Sequence, residues 1–155
     1  MKALFDSDIL IDFLVGEAKA EEELKRFSER LISIVSWSEV MIGADSEDEQ
    51  TKCREFLAAF TVIPFDQTIA EEAVRIRRGT RIRLPDAIIW ASAKASGAFL
   101  VTRNTRDFPT EILSCASRIL SEANDNRQDA PVASQSFGRV HGFVPVMKKL
   151  STVRV

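Results

Sequence analysis

Apolar positions along the chain come in two kinds, short continuous runs and stripes at helical spacing, and the two kinds alternate. Ala3-Leu-Phe5 is too short a run for a helix and suits an inner strand covered on both faces. Ile9, Leu10, Ile11, Phe13 and Leu14 then predict a helix with a wide buried face, stopped by Gly16. From Glu17 to Arg30, Ala20, Leu24 and Phe27 form one inward stripe on a charged surface helix. Leu31-Ile-Ser-Ile-Val35 predicts a second strand, and Ser36-Trp-Ser-Glu39 after it matches a capping box opening a helix that runs to Gly43. The acidic stretch Asp45 to Glu49 suits a first helical turn, with Cys53, Phe56, Leu57 and Phe60 facing inward. Thr61 to Phe65 is a third strand, and its Pro64 argues for a strand end or sheet edge. Gln67 to Gly79 predicts a helix with Ile69, Ala73 and Ile76 inside. Pro85, suited to the first helical position, opens a helix that Ala87, Ile88, Ile89, Ala91, Ala93 and Ala95 make apolar on most sides, stopped by Gly97. Ala98 to Thr102 is a fourth strand, leading into the polar loop Arg103 to Asp107. Strands alternating with helices predict an α/β fold with a mostly parallel sheet.

At 155 residues the chain is long enough for one domain with a full core. No apolar run approaches the roughly 20 residues of a membrane span, and the N-terminus leads straight into a strand, so no anchor or signal peptide is expected and the expected address is the cytoplasm. Cys53 and Cys115 lack metal-ligand spacing and read as reduced thiols; the single histidine, His141, argues against a His-based metal site or triad. Net charge is only −2, but residues 1–50 hold 13 Asp or Glu against 5 Lys or Arg, whereas residues 75–106 hold 8 basic residues against one acid, Asp86. The basic segment, with Arg75, Arg77, Arg78, Arg81 and Arg83, is either a solvated face or a phosphate-contacting patch.

Candidate chemistry comes from the ends of the predicted strands. A carboxylate where an inner parallel strand ends lies in the crevice where open α/β sheets bind ligands, which is where Asp6 falls. The competing reading makes Asp6 a helix cap. Glu39 has two readings as well: the third residue of a capping box, or an acid delivered to the same rim as Asp6. A crossover helix runs antiparallel to its strands, so its N-terminus and the C-terminal end of the next strand share one edge. Asp86 and Asp107 therefore join Asp6 and Glu39. Four like charges at short range cannot all stay ionised unless a hard divalent cation compensates them, and all-oxygen ligation selects Mg²⁺ or Mn²⁺. The reaction class is metal-dependent phosphodiester hydrolysis, with Asp6, Glu39, Asp86 and Asp107 on the metal and Thr102 and Asn104 orienting a water or a carboxylate.

Phe-Asp6-Ser-Asp8-Ile-Leu-Ile-Asp-Phe-Leu, Ser-Trp-Ser-Glu39, Leu-Pro-Asp86-Ala-Ile-Ile-Trp-Ala and Leu-Val-Thr-Arg-Asn-Thr-Arg-Asp107-Phe resemble, in order and spacing, the four motifs of PIN-domain ribonucleases, specifically the VapC toxins of toxin–antitoxin pairs. The resemblance spans residues 1–109. It implies a three-layer α/β/α sandwich, a Mg²⁺- or Mn²⁺-dependent endoribonuclease acting on structured cellular RNA, a homodimer, and inhibition by a VapB-type antitoxin. One position departs: residue 8, commonly Asn in such motifs, is Asp here. Two alternatives stand beside this reading. Asp6-Ser-Asp8 also resembles the nucleophile motif of haloacid-dehalogenase-type phosphatases, which leaves Glu39 and Leu-Pro-Asp86-Ala unexplained. The other is a degenerate PIN-like domain kept only for binding.

Residues 110–155 form an atypical C-terminal segment. Chains of the resembled kind usually finish with a short strand like Gly-Val-Arg-Val-Pro-Tyr, but here Ile112, Leu113, Ala116, Ile119 and Leu120 give an amphipathic helical pattern and a polar stretch follows from Asn124 to Ser136. Taking the third base of each codon with the first two of the next, Ile112 to Glu122 can be encoded so that the shifted frame reads Pro-Val-Val-Arg-Val-Pro-Tyr-Ser-Leu and then stop. The segment is accordingly expected to be frame-shifted and weakly ordered, the alternative being a genuine extension that docks its helix on the domain.

Overall fold

The computed structural model describes residues 1–104, and Asp107, Cys115, His141 and the helix proposed around Ile112 to Leu120 lie outside them. The described elements run β1 (Lys2–Phe5), α1 (Ser7–Leu14), α2 (Ala18–Lys25), β2 (Glu29–Ser33), α3 (Ile34–Ile42), α4 (Glu47–Leu57), β3 (Thr61–Ile63), α5 (Gln67–Gly79), α6 (Leu84–Ala95) and β4 (Phe99–Val101). All strand pairs are parallel, in the order β3-β2-β1-β4.

Alternation along the strands divides the core in two, as a sheet covered on both faces requires. Ala3 and Phe5 of β1 and Ile32 of β2 join Leu10, Leu14, Leu24, Val40, Leu57 and Phe60 from the α1–α4 side. Leu4, Leu31 and Leu100 point the other way, onto Ile69, Ala73 and Ile76 of α5 and Ala87, Ile89 and Ala91 of α6. The fold is thus the expected α/β/α sandwich. Phe5 is fully buried and meets Phe27 and Phe60 edge-on, at centroid distances of 5.8 and 6.1 Å. Gly16 and Gly97, at φ of +89° and +58°, end α1 and α6 in the left-handed conformation that favours glycine. No helix among the described residues is long and apolar enough to cross a membrane.

Several boundaries differ from the sequence reading. The second strand begins at Glu29 and ends at Ser33, because the Ser33 hydroxyl accepts the Val35 N–H at 3.1 Å and turns Ile34 and Val35 into the first turn of α3. The capping box expected at Ser36 therefore does not form. It occurs instead at Ser46, whose hydroxyl accepts from the Glu49 N–H while the Glu49 carboxylate accepts from the Ser46 N–H. The surface helix after Gly16 stops at Lys25, Pro85 follows Leu84 as the second residue of α6, and Ala95 is exposed.

Phe5→Ala removes the ring on which the α1–α4 side of the core closes, and should destabilise the fold by about 3–5 kcal/mol. Urea unfolding would show it as a lowered midpoint at unchanged slope.

Candidate active site

The strand order sets where a ligand crevice opens. From β1 the chain moves outward to β2 and β3, then returns to place β4 on the other side of β1, so the direction of winding reverses between β1 and β4. Beyond the carboxyl ends of these two strands lies the switch point at which open α/β sheets bind ligands. Asp6 follows β1 there, Thr102 follows β4, and Ser33, at the end of β2, stands level with Asp6 in the register.

Asp6 is 3% exposed and occupies the N-cap position of α1, yet its side chain makes no capping hydrogen bond. The cap reading is thereby set aside. Its backbone N–H donates to the Val101 carbonyl at 3.0 Å, tying the turn to β4. The Thr102 hydroxyl donates to Asp6 Oδ2 at 2.7 Å and accepts the Asn104 backbone N–H at 3.1 Å, so its single proton is aimed at the carboxylate. Ser7 Oγ donates more weakly to Oδ1, at 3.3 Å. Burial, then the Asp8 carboxylate, push the Asp6 carboxyl up to about 7; Thr102 opposes the shift, and Glu39 and Asp86 add to it.

Two of the other predicted acids therefore add to the field on Asp6, Glu39 from the second turn of α3 and Asp86 from the first turn of α6. Asp107 lies outside the described residues. Thr102 contacts Asp6 through its hydroxyl, whereas the contact found for Asn104 uses its backbone. Arg78, Arg81 and Arg83 are exposed, on and just after the end of α5, and Arg83 takes the N-cap position of α6.

Sequence reasoning underrated Asp8. It is the strongest charged influence on Asp6, and its place two residues on, in the first turn of α1, was signal enough. The Asp12–Arg103 ion pair, at 2.6 Å, was also missed: it ties α1 to the loop after β4, a contact that no local pattern announces. The Ser36 hydroxyl, three residues before Glu39, is fully buried without a hydrogen-bond partner.

The donor set suits a hard dication in kind, since a buried carboxylate raised by three neighbouring acids is the arrangement such an ion would discharge. Among the described residues no three His, Cys, Asp or Glu side chains already stand together as a ligand cluster.

The family model described as the PIN domain matches residues 3–110. A chain of a toxin–antitoxin complex from Klebsiella pneumoniae is 41% identical, with a TM-score of 0.66 over 68% of this chain and 89% of that one. Two further structures share the fold. DNA-bound VapBC from Salmonella typhimurium is 24% identical with a TM-score of 0.58, covering 70% of this chain and 90% of that one. VapBC2 from Rickettsia felis, bound to a DNA fragment from their promoter, is 22% identical with a TM-score of 0.61, covering 70% and 91%. A search of curated proteins gave no match.

Because the folded-state value of Asp6 lies above its ordinary one, this group favours folding most when protonated. Stability should fall as pH rises from about 4 to about 7 and then level off. In chelator-containing buffer Asp6→Asn should lose that dependence. Its advantage over the parent, read from urea midpoints across this range, should grow to at most about 4 kcal/mol and vanish below pH 4.

Proposed function

The chain belongs to the PIN-domain family, and on that premise we propose that it is a metal-dependent endoribonuclease, the toxin of a type II toxin–antitoxin pair. The observation that supports the reading is the Asp6 carboxylate at the sheet's switch point, held by the Thr102 hydroxyl, its pKa raised by burial first and then by Asp8, Glu39 and Asp86. Family membership also displaces the phosphatase alternative, since it accounts for Glu39 and Asp86 as well as Asp6.

In this proposal Asp6, Glu39, Asp86 and Asp107 hold Mg²⁺ or Mn²⁺. When bound, the cation supplies Lewis-acid charge that offsets the carboxylates, stabilises charge developing on the phosphate and activates a water. The chain's own residues do the positioning. Thr102 fixes the rotation of the Asp6 carboxylate, and the Asn104 backbone fixes Thr102 in turn. Glu39 and Asp86 project from helices packed against the sheet, so their spacing is set by rigid elements rather than by loops.

The partners follow from the same reading. Arg78, Arg81 and Arg83 contact the RNA backbone and contribute affinity, not turnover. A VapB-type antitoxin is the expected inhibitor, supported by the toxin–antitoxin complex whose chain is 41% identical, and a homodimer in the cytoplasm is the expected working form.

Purified protein should cut RNA only with Mg²⁺ or Mn²⁺ present, and Asp6→Asn or Asp86→Asn should each lower cleavage by about a hundredfold or more while the far-UV spectrum stays native. Cleavage that persists in excess chelator would remove the cation from the proposal. A folded protein inactive under all metal conditions would favour the degenerate binding domain.

Replacing Arg78, Arg81 and Arg83 together with Gln should raise the apparent KM and flatten its dependence on salt, with kcat little changed. Identical salt slopes for parent and variant would return this segment to the role of a solvated face.

A further inference from the structure

Among the described residues β4 is an outer strand of the parallel sheet. Among the described residues β4 pairs only with β1, and Phe99 at its start is 39% exposed. An apolar edge with free backbone N–H and C=O groups is a template for another extended segment, and stable folds cover it. The family match meanwhile stops at residue 110, and 89% of the Klebsiella pneumoniae chain is spent on 68% of this one. The family match thus ends a few residues past β4, and residues 111–155 lie beyond it.

The genetic code points to a partner for the outer edge of β4. In the frame that joins the third base of each codon to the first two of the next, the amino acids of this chain narrow some of the steps and leave others open. Whatever codons are used, the step from Ser114 to Cys115 encodes only Leu, Met or Val, and the step from Cys115 to Ala116 only Arg or Cys. The step from Arg118 to Ile119 encodes Tyr, His, Asn or Asp. One choice of third bases gives Pro-Val-Val-Arg-Val-Pro-Tyr-Ser-Leu, with a stop falling at Ser121 to Glu122. Its core, Val-Val-Arg-Val, is β-branched and bounded by prolines, the composition of a short strand at a sheet edge.

We infer that the coding DNA carries this reading, displaced from the frame of the domain shortly after β4, and that the strand it encodes is the partner of the outer edge of β4. The inference uses family membership but not the proposed nuclease activity, so either can fail without the other.

Protein sequence leaves the third bases open, which makes the DNA a direct test. The codons for Leu113, Ser114 and Ala116 should end in G, that for Cys115 in C, and those for Arg118 and Ser121 in T. A shifted reading without a stop at Ser121, or without valine at the three G-ending steps, overturns the inference. A chain rebuilt with the shifted strand and stop, compared with the chain as it stands, should exchange the outward-facing amides of Phe99–Val101 at least tenfold more slowly. Unchanged exchange in a folded, rebuilt chain would overturn the pairing with β4.

Discussion

The rest of the structure depends on keeping one carboxylate out of water. Asp6 follows β1, a strand that contributes to both core clusters, and is buried there with its charged form disfavoured. A group so placed weakens the fold unless something else gathers around it, and what gathers are a hydroxyl and more acids. Thr102 offsets part of the cost, while Asp8, Glu39 and Asp86 increase it. Three carboxylates adding to the burial cost of a fourth is a poor arrangement for stability alone, and it is the feature on which the proposed function rests.

The strand order turns that local constraint into a site. Were β4 to follow β3 at the far edge, Thr102 and Asp6 would stand three strands apart. Its return to the other side of β1 brings them to 2.7 Å. The Asp12–Arg103 pair makes a second tie between the same two segments, and the Asp6 N–H to Val101 bond a third. Ion pairs this exposed add little to stability. Their contribution here is geometric, holding the loop that carries Thr102 against α1.

How much of this could be read from residues depended on the range of the interaction. Patterns with a period of two or four residues, such as Ala3-Leu-Phe5 or the Ile69–Ala73–Ile76 stripe, located the strands, the helices and their inward faces, because burial follows from local alternation. Boundaries failed where two serines competed. Ser33 and Ser36 both suit a cap, and the winner was set by how far β2 stays paired with β1 and β3, which local sequence does not record. The expectation for Glu39 rested on the direction of the helix leaving a parallel strand and not on the cap, so the shift of the cap does not bear on it. The expectation for Asp86 has the same basis. Asp8 was legible from its place two residues after Asp6 and was only underrated, whereas the Asp12–Arg103 contact spans most of the described chain.

The corrected cap has a consequence for the chemistry. Ser33 is both the last residue of β2 and the cap of α3, so helix follows strand with no intervening loop. Glu39 therefore inherits its position from the sheet itself. Asp86 is held differently, at the start of α6 beyond the loop from α5, on the layer that also carries Arg78, Arg81 and Arg83. Asp6 and Glu39 are thus carried by the β1 and β2 ends of the sheet, whereas Asp86 shares its layer with the arginines. On the proposed function, the carboxylates around Asp6 would repel a phosphate in the absence of a cation, while the arginines would attract it. A bound cation would offset that repulsion and leave the attraction unchanged. For a nuclease of this construction, substrate affinity should therefore rest largely on the basic segment and turnover on the acidic one, a separation already written in the uneven charge of the two halves of the domain.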